Sequence, residues 1–141
     1  MAANDRLASL PDTDVCKSSV HFLQTSFFDL PTHQEEDLFD FIYDYTFMCA
    51  LHPSLRTEWA KKMSALLKPG GQLCTLIYPI MPRDGGPPYE VSTSLYQSTL
   101  LPEGFTELRL EVLPDELCHA GREGGKSAVG IWRKSEEEEE E

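Results

Sequence analysis

Between residues 38 and 80 the chain runs apolar segment, amphipathic segment, apolar segment, with almost no residues to spare. "LFDFIYDYTF" at 38–47 reads as a strand, apolar nearly throughout, as suits a parallel strand buried on both faces. In "HPSLRTEWAKKMSALLKPGG", Leu55, Trp59, Met63, Leu66 and Leu67 recur at i, i+4, i+8, i+11 and i+12, which is one face of a helix. Ser54 is its expected N-cap, and Lys68, Pro69, Gly70 and Gly71 its expected stop. "QLCTLIYPI" follows at once as a strand. Two strands joined through a helix are parallel neighbours linked by a crossover, so this stretch commits the chain to an α/β sheet.

The flanks add to that unit. "VHFLQTSFF" at 20–28 reads as a preceding aromatic-rich strand. "MPRDGGPPYEV" is a long Gly/Pro loop, and "STSLYQSTLLPEGF" is a second helix with Leu95, Tyr96, Thr99 and Leu100 on one side. "TELRLEVL" alternates apolar and charged residues as a half-exposed strand does, and "KSAVGIWRK" reads as a last strand. The expected order is β–β–α–β–loop–α–β–β, a mostly parallel sheet closed by an antiparallel terminal hairpin. Residues 1–18 are polar and weakly patterned, with a possible helix end at "ANDRLASL" and a turn at "PDTD".

Charge narrows the function classes. The net charge is −12, half of it from six glutamates at 136–141, read as a solvated, disordered tail. An acidic body argues against nucleic acid, whose phosphates need clustered Lys and Arg. No apolar run is long enough to span a bilayer and the N-terminus has no secretory pattern, so no membrane association is expected and the cytoplasm is the expected location. Cys16, Cys49, Cys74 and Cys118 are widely spaced, with no metal-like pattern with the histidines, so they read as reduced and structural, with no metal site. "AGREGGKS" ends like a phosphate-binding loop, but Ala120 stands where the first glycine is needed and a strand follows instead of a helix.

Asp40 and Asp44 lie within "FDFIYDYTFMCAL" at 39–51, although carboxylates are rarely buried without a partner. In open α/β sheets ligands bind outside the carboxyl ends of the strands. A strand over 39–45 puts Asp44 and Tyr45 at that end and Asp40 at its entrance, in reach of water. Asp44 then either faces a ligand or caps nearby backbone amides.

"TSFFDLP", "FDFIYDYTFMCAL", "PSLRTEWAKKMSALLKPGGQLCTLIYPI" and "GGPPYEVS", in this order and spacing, resemble the thiopurine S-methyltransferase-like family. Within it the chain is most similar to the halide/thiocyanate/thiol methyltransferases of plants and fungi, over residues 18–133. The resemblance implies a Rossmann-like class I methyltransferase fold and S-adenosyl-L-methionine as cofactor. It implies methyl transfer to a small thiol, thiocyanate or halide, a reaction that needs alignment and exclusion of water more than acid–base help. It places Ser26 and Phe27 against the cofactor's adenine, with Ser26 where the family often has a carboxylate. It places Tyr45, with Asp44 beside it, in the cofactor pocket, and Gly86, Pro87, Pro88 and Tyr89 in the loop over the substrate.

The resemblance also implies parts this chain does not carry. Family members begin with two further strands, a glycine-rich turn for the methionine end of the cofactor and an acidic residue for its ribose. Here the first glycine is Gly70. The expectation is an N-terminally truncated chain: a remnant at 1–18, a partial methyltransferase domain at 19–134 and an acidic tail at 135–141. Cofactor binding by the chain alone is expected to be weak or absent. The alternative is a non-catalytic fragment or interaction module, pairing with a partner through the strand edge that a missing neighbour would leave open.

Overall fold

The computed structural model describes residues 19–136, so the expectations for residues 1–18 and for 137–141 of the tail lie outside the described residues. The chain divides into two compact units, Met1–Leu30 and Pro31–Glu141. In the first, residues 20–25 form no strand, and Phe27–Asp29 is a single 3₁₀ turn capped by Ser26, whose Oγ accepts from Phe28 N at 3.3 Å. The expected strand at 20–28 is thus corrected. Aromatic content favours a strand only where a neighbouring backbone completes the ladder, and no described strand pairs with this segment.

The second unit holds a four-stranded sheet of β1 (Phe39–Tyr45), β2 (Leu67–Ile77), β3 (Phe105–Val112) and β4 (Ala128–Lys134), in the order β1-β2-β4-β3. Helix α1 (Arg56–Leu66) joins β1 to β2, which pair in parallel as the crossover requires. Helix α2 (Thr93–Leu100) starts at Ser92, whose Oγ accepts from Leu95 N at 3.1 Å. The cap of the turn ahead of α1 is His52, two residues before Ser54: its Nδ1 accepts from Ser54 N at 3.2 Å.

Three details differ from the sequence pattern. "KPGG" does not separate α1 from the next strand but lies inside β2. Phe39 pairs with Leu67 and Phe41 with Gln72, so β2 bulges outward at Gly70, whose φ is +79°. The closing hairpin is antiparallel, but β4 inserts between β2 and β3, antiparallel to both, so β1–β2 is the one parallel pair among the described strands. The composition explains it: β3 carries Glu107, Arg109 and Glu111 and suits an edge, whereas β4 buries Ala128, Gly130 and Trp132. The connection from β2 through α2 carries the chain past the position that β4 later fills, and β4 then returns beside β3 as a hairpin.

The third difference is β1. It was expected to be buried on both faces, and only Asp44 is buried. Phe39, Phe41, Tyr43 and Tyr45 point to the other face and are 44–55% exposed. Alternation explains this. Asp40, Ile42 and Asp44 share the face that α1 covers, and β1 is an edge strand whose aromatic face has no layer of the second unit over it.

The core lies on the helix side. Leu73, Thr75 and Ile77 of β2 face Ala128, Gly130 and Trp132 of β4 across the register. Trp132 Nε1 donates to Thr75 Oγ1 at 3.1 Å, which satisfies two buried polar groups at once. A Cβ on Gly130 would lie 2.7 Å from Trp132 Nε1, so that indole position needs glycine there. Trp59 of α1 meets Tyr96 of α2 edge-on at 6.0 Å, closing the layer.

Candidate functional site

Tyr45 ends β1, and the chain then turns sharply. Thr46 is left-handed at φ 53°, a conformation that costs a residue with a branched Cβ. Asp44 holds the turn. Its Oδ1 accepts from Phe47 N at 2.8 Å and from Met48 N at 3.5 Å, and its Oδ2 accepts from Trp59 Nε1 at 2.9 Å. The carboxyl is 2% exposed, and burial raises its pKa against the opposing pull of Phe47, Trp59 and Met48. Both oxygens are therefore engaged inside the protein. Asp40, by contrast, is a solvated edge residue, 3.6 Å from Lys68 Nζ with its side chain 86% exposed.

Beyond the turn, Met48–Ala50 forms a 3₁₀ turn that presents Cys49. The Cys49 thiol donates to Thr46 O at 3.2 Å, and burial first, then Asp44, pushes its pKa up, so it is held as an unreactive thiol. The loop after β2 is tied down beside it. Val91 N donates to Pro79 O at 3.0 Å, Tyr89 N to Cys49 O at 2.8 Å, and Arg56 Nη2 to Glu90 O at 3.3 Å. Within that loop the bonds Tyr78–Pro79, Gly86–Pro87 and Pro87–Pro88 are cis. Gly86 is tightly enclosed: a Cβ would lie 2.7 Å from Pro88 C and O and from Tyr89 Cγ.

These elements border an open cavity of about 260 Å³ at the carboxyl ends of the two parallel strands, lined by Thr46, Cys49, Ala50, Tyr78, Pro87, Pro88 and Arg122. Arg122 is its one charged wall. The guanidinium carbon lies 4.4 Å from the centre of the Tyr78 ring and 5.9 Å from that of Tyr45, both within cation–π range. A larger depression of about 530 Å³ opens on the uncovered sheet face, between Tyr43, Cys74 and Cys118. We take the smaller cavity as the site, because the strand ends gather fixed polar groups there while the larger one is the bare side of a sheet.

The structure thus brings together Asp44, Tyr45, Pro87 and Pro88 around one end of the second unit, with Gly86 and Tyr89 shaping the loop. Ser26 and Phe27 belong to the first unit, where Ser26 Oγ is occupied by Phe28 N. Sequence reasoning missed Arg122 and Trp59. Arg122 lay in "AGREGGKS", set aside as a failed phosphate loop, and no local pattern shows that it folds under the strand ends. Trp59 was read as core, and its indole N–H is what satisfies Asp44. Among the described residues no group of three or more His, Cys, Asp or Glu side chains is placed to hold a metal, and Cys49, Cys74 and Cys118 are free. No helix among them is long and apolar enough to cross a membrane.

Solved structures share this architecture. An S-adenosylmethionine-dependent methyltransferase of Methanosarcina mazei superposes with a TM-score of 0.61 at 16% identity, covering 80% of this chain and 66% of its own. The 1,6-didemethyltoxoflavin-N1-methyltransferase of Burkholderia thailandensis, solved with S-adenosylhomocysteine, gives 0.60 at 19%, covering 81% and 50%. The fold is therefore a partial Rossmann-like methyltransferase fold. The family model described as Thiopurine S-methyltransferase (TPMT) matches residues 3–136, and the chain belongs to that family. Probable thiol methyltransferase 2 of Arabidopsis thaliana is 46% identical over 114 residues, which is 81% of this chain and 48% of that protein. Thiocyanate methyltransferase 1 of Brassica oleracea is 45% identical over 113 residues, 80% and 47% respectively. The chain spans about half the length of these curated relatives.

Proposed function

We propose that this chain forms the acceptor side of an S-adenosyl-L-methionine-dependent methyltransferase acting on a small thiol, thiocyanate or halide. The observation that carries the reading is the small cavity at the carboxyl ends of β1 and β2, in a chain whose relatives are named for thiol and thiocyanate methylation. The residues present fit the cofactor in part. Tyr45, exposed at the strand end, offers an aromatic face, and Ser26 and Phe27 remain assigned to the adenine by family likeness. The glycine-rich turn and ribose-binding acid have no counterpart in the 141 residues. The cofactor supplies a methyl group activated on a sulfonium. The chain's own residues would orient the acceptor and exclude water. Asp44 contributes by bracing the turn after Tyr45, and Pro87, Pro88 and Tyr89 by closing the loop. A thiolate or halide is already nucleophilic, so the lack of a base in the cavity fits the chemistry. The net charge of −12 disfavours nucleic acid as a partner, and a cytoplasmic site of action is part of the proposal.

The open edge and aromatic face of β1 favour a second reading, a non-catalytic module that pairs with a longer relative. A thermal-melt titration with S-adenosylhomocysteine, alongside methyl-transfer assays with thiocyanate and iodide, separates the two. The methyltransferase reading expects a melting temperature that rises with ligand, only at high concentration because these 141 residues carry no glycine-rich turn ahead of Gly70, and a rise that Tyr45→Ala removes. A melt indifferent to ligand, with no methylated product, would leave the interaction module as the function of this chain.

A further inference from the structure

The two edges of the sheet are unlike. On the face away from the helices, β3 carries the ion pair Arg109–Glu111, and β1 carries Phe41 and Tyr43. No described strand lies beyond either edge. The outer edge of β1 therefore offers a row of backbone groups, with Phe39, Phe41, Tyr43 and Tyr45 beside it and each about half exposed. The exposed charge on this strand is Asp40, and Lys68 Nζ lies 3.6 Å from its carboxylate. The edge itself is thus close to neutral, although the chain carries a net charge of −12. A strongly basic partner would find little there to pair with. A neutral edge with alternating aromatics fits a strand of the same pattern, and β1 itself has that pattern.

We propose that β1 pairs antiparallel with β1 of a second copy of this chain, about a two-fold axis at Phe41. With the axis there, residues 39–43 of the two copies overlap. Phe41 faces the partner's Phe41 and Phe39 faces the partner's Tyr43, all on the uncovered face, while Asp40 faces the partner's Ile42. An axis at Ile42 would set Asp40 against the partner's Asp44, carboxylate to carboxylate. An axis at Tyr43 would put Phe39 opposite residue 47, past the turn at Thr46, and leave it unpaired. The contact closes on itself. Head-to-tail pairing of β1 with β3 would set aromatic rings against Arg109 and Glu111, so the product is a dimer and not a filament. Because the paired strands run in opposite directions, the two strand-end cavities lie at opposite ends of the contact and both stay open. Four half-exposed rings offer on the order of 400 Å² per copy, against about 800 Å² in a stable complex, so the dimer is reversible. None of this depends on the methyltransferase reading.

The test is disulfide trapping in the 141-residue chain at moderate salt. Phe41→Cys, Phe39→Cys and Tyr43→Cys are each treated with diamide, which takes two electrons and two protons from a pair of thiols. Covalent dimer is read on a non-reducing gel, with the parent chain as the baseline for its native cysteines. Directly opposed positions on paired strands bring Cβ atoms about 4.5–5.5 Å apart, close enough for a bridge. Phe41→Cys is expected to give several-fold more dimer than the parent. Phe39→Cys and Tyr43→Cys are expected to stay at the baseline alone and to cross-link when mixed with each other. That mixture keeps the test open should Phe41→Cys fold poorly. Sedimentation velocity of the parent chain is expected to show monomer and dimer and nothing larger. Baseline cross-linking in both Phe41→Cys and the mixture would overturn the proposal. So would Tyr43→Cys bridging to itself more strongly than Phe41→Cys, which would move the axis. Species that grow beyond the dimer would overturn the closed two-fold contact.

Discussion

Asp44 is one buried carboxylate answering three N–H donors, and its replacement isolates what the turn is worth. Asparagine keeps the shape but offers one acceptor and an N–H₂ that must face either the Phe47 amide or the Trp59 indole. Asp44→Asn should therefore cost ~1–3 kcal/mol in urea denaturation, the range for leaving a buried donor unpaired. The pH dependence has a definite sign. Burial raises the folded pKa of Asp44 above its unfolded value near 3.8, so the folded state holds the proton more tightly between those two values. Stability from this group is fully present below about pH 4 and is lost as pH rises toward the folded pKa. The deficit of Asp44→Asn should thus be larger at pH 4 than at pH 7; a deficit that grows with pH would contradict the raised pKa. Tyr96 is the converse case. Its ring packs against Trp59, but its hydroxyl is buried without a hydrogen-bond partner among the described residues. Tyr96→Phe removes that group and keeps the ring, so stability should be unchanged or rise by ~1 kcal/mol. A clear loss would mean that a bound water or other acceptor satisfies the hydroxyl.

Among elements, the loop after β2 is where shape is most tightly specified. Gly85 and Gly86 are adjacent, yet a Cβ on Gly85 would meet nothing within 4 Å, while one on Gly86 would meet backbone at 2.7 Å. Gly85 has φ +71°, so Gly85→Ala carries only the left-handed penalty of ~1 kcal/mol. Gly86→Ala must move Pro88 and Tyr89 as well, so it should cost more, by ~1–3 kcal/mol, and should open the Pro87–Pro88 wall of the cavity. Comparing the two variants in urea denaturation checks this: equal costs would mean the loop yields freely. Elements of this kind also show how far the sequence could be read. The β–α–β unit was legible because helix periodicity and an apolar run are local signals. The burial of β1 was not. Seven mostly apolar residues look the same whether a second layer covers them or not, and here the aspartate faces the helix while four aromatics face away. The insertion of β4 was equally hidden, because strand order depends on partners far along the chain. Arg122 was hidden for the same reason: its meaning comes from Tyr78 and Pro87, not from its neighbours in "AGREGG".

For the whole molecule, two opposing features meet at the edge of the sheet. The outer edge of β1 presents backbone groups with no strand beside them among the described residues, flanked by Phe39, Phe41, Tyr43 and Tyr45 at 44–55% exposure. Such an edge invites pairing with another chain, and no proline or inward-pointing lysine on β1 blunts it. Against this stands the net charge of −12, which repels like copies and keeps them apart in dilute salt. Salt decides between them. The screening length falls from ~30 Å at 0.01 M to ~3 Å at 1 M, so repulsion between molecules fades while apolar contact does not. Sedimentation velocity should therefore show the chain predominantly monomeric at low ionic strength and increasingly associated as salt rises. Phe41→Lys or Tyr43→Lys should suppress the association, with folding stability changed by no more than ~1 kcal/mol, because both positions are half exposed. Association that weakens with salt would instead mean that charge pairs hold the copies together, and association unaffected by either substitution would put the contact on another surface.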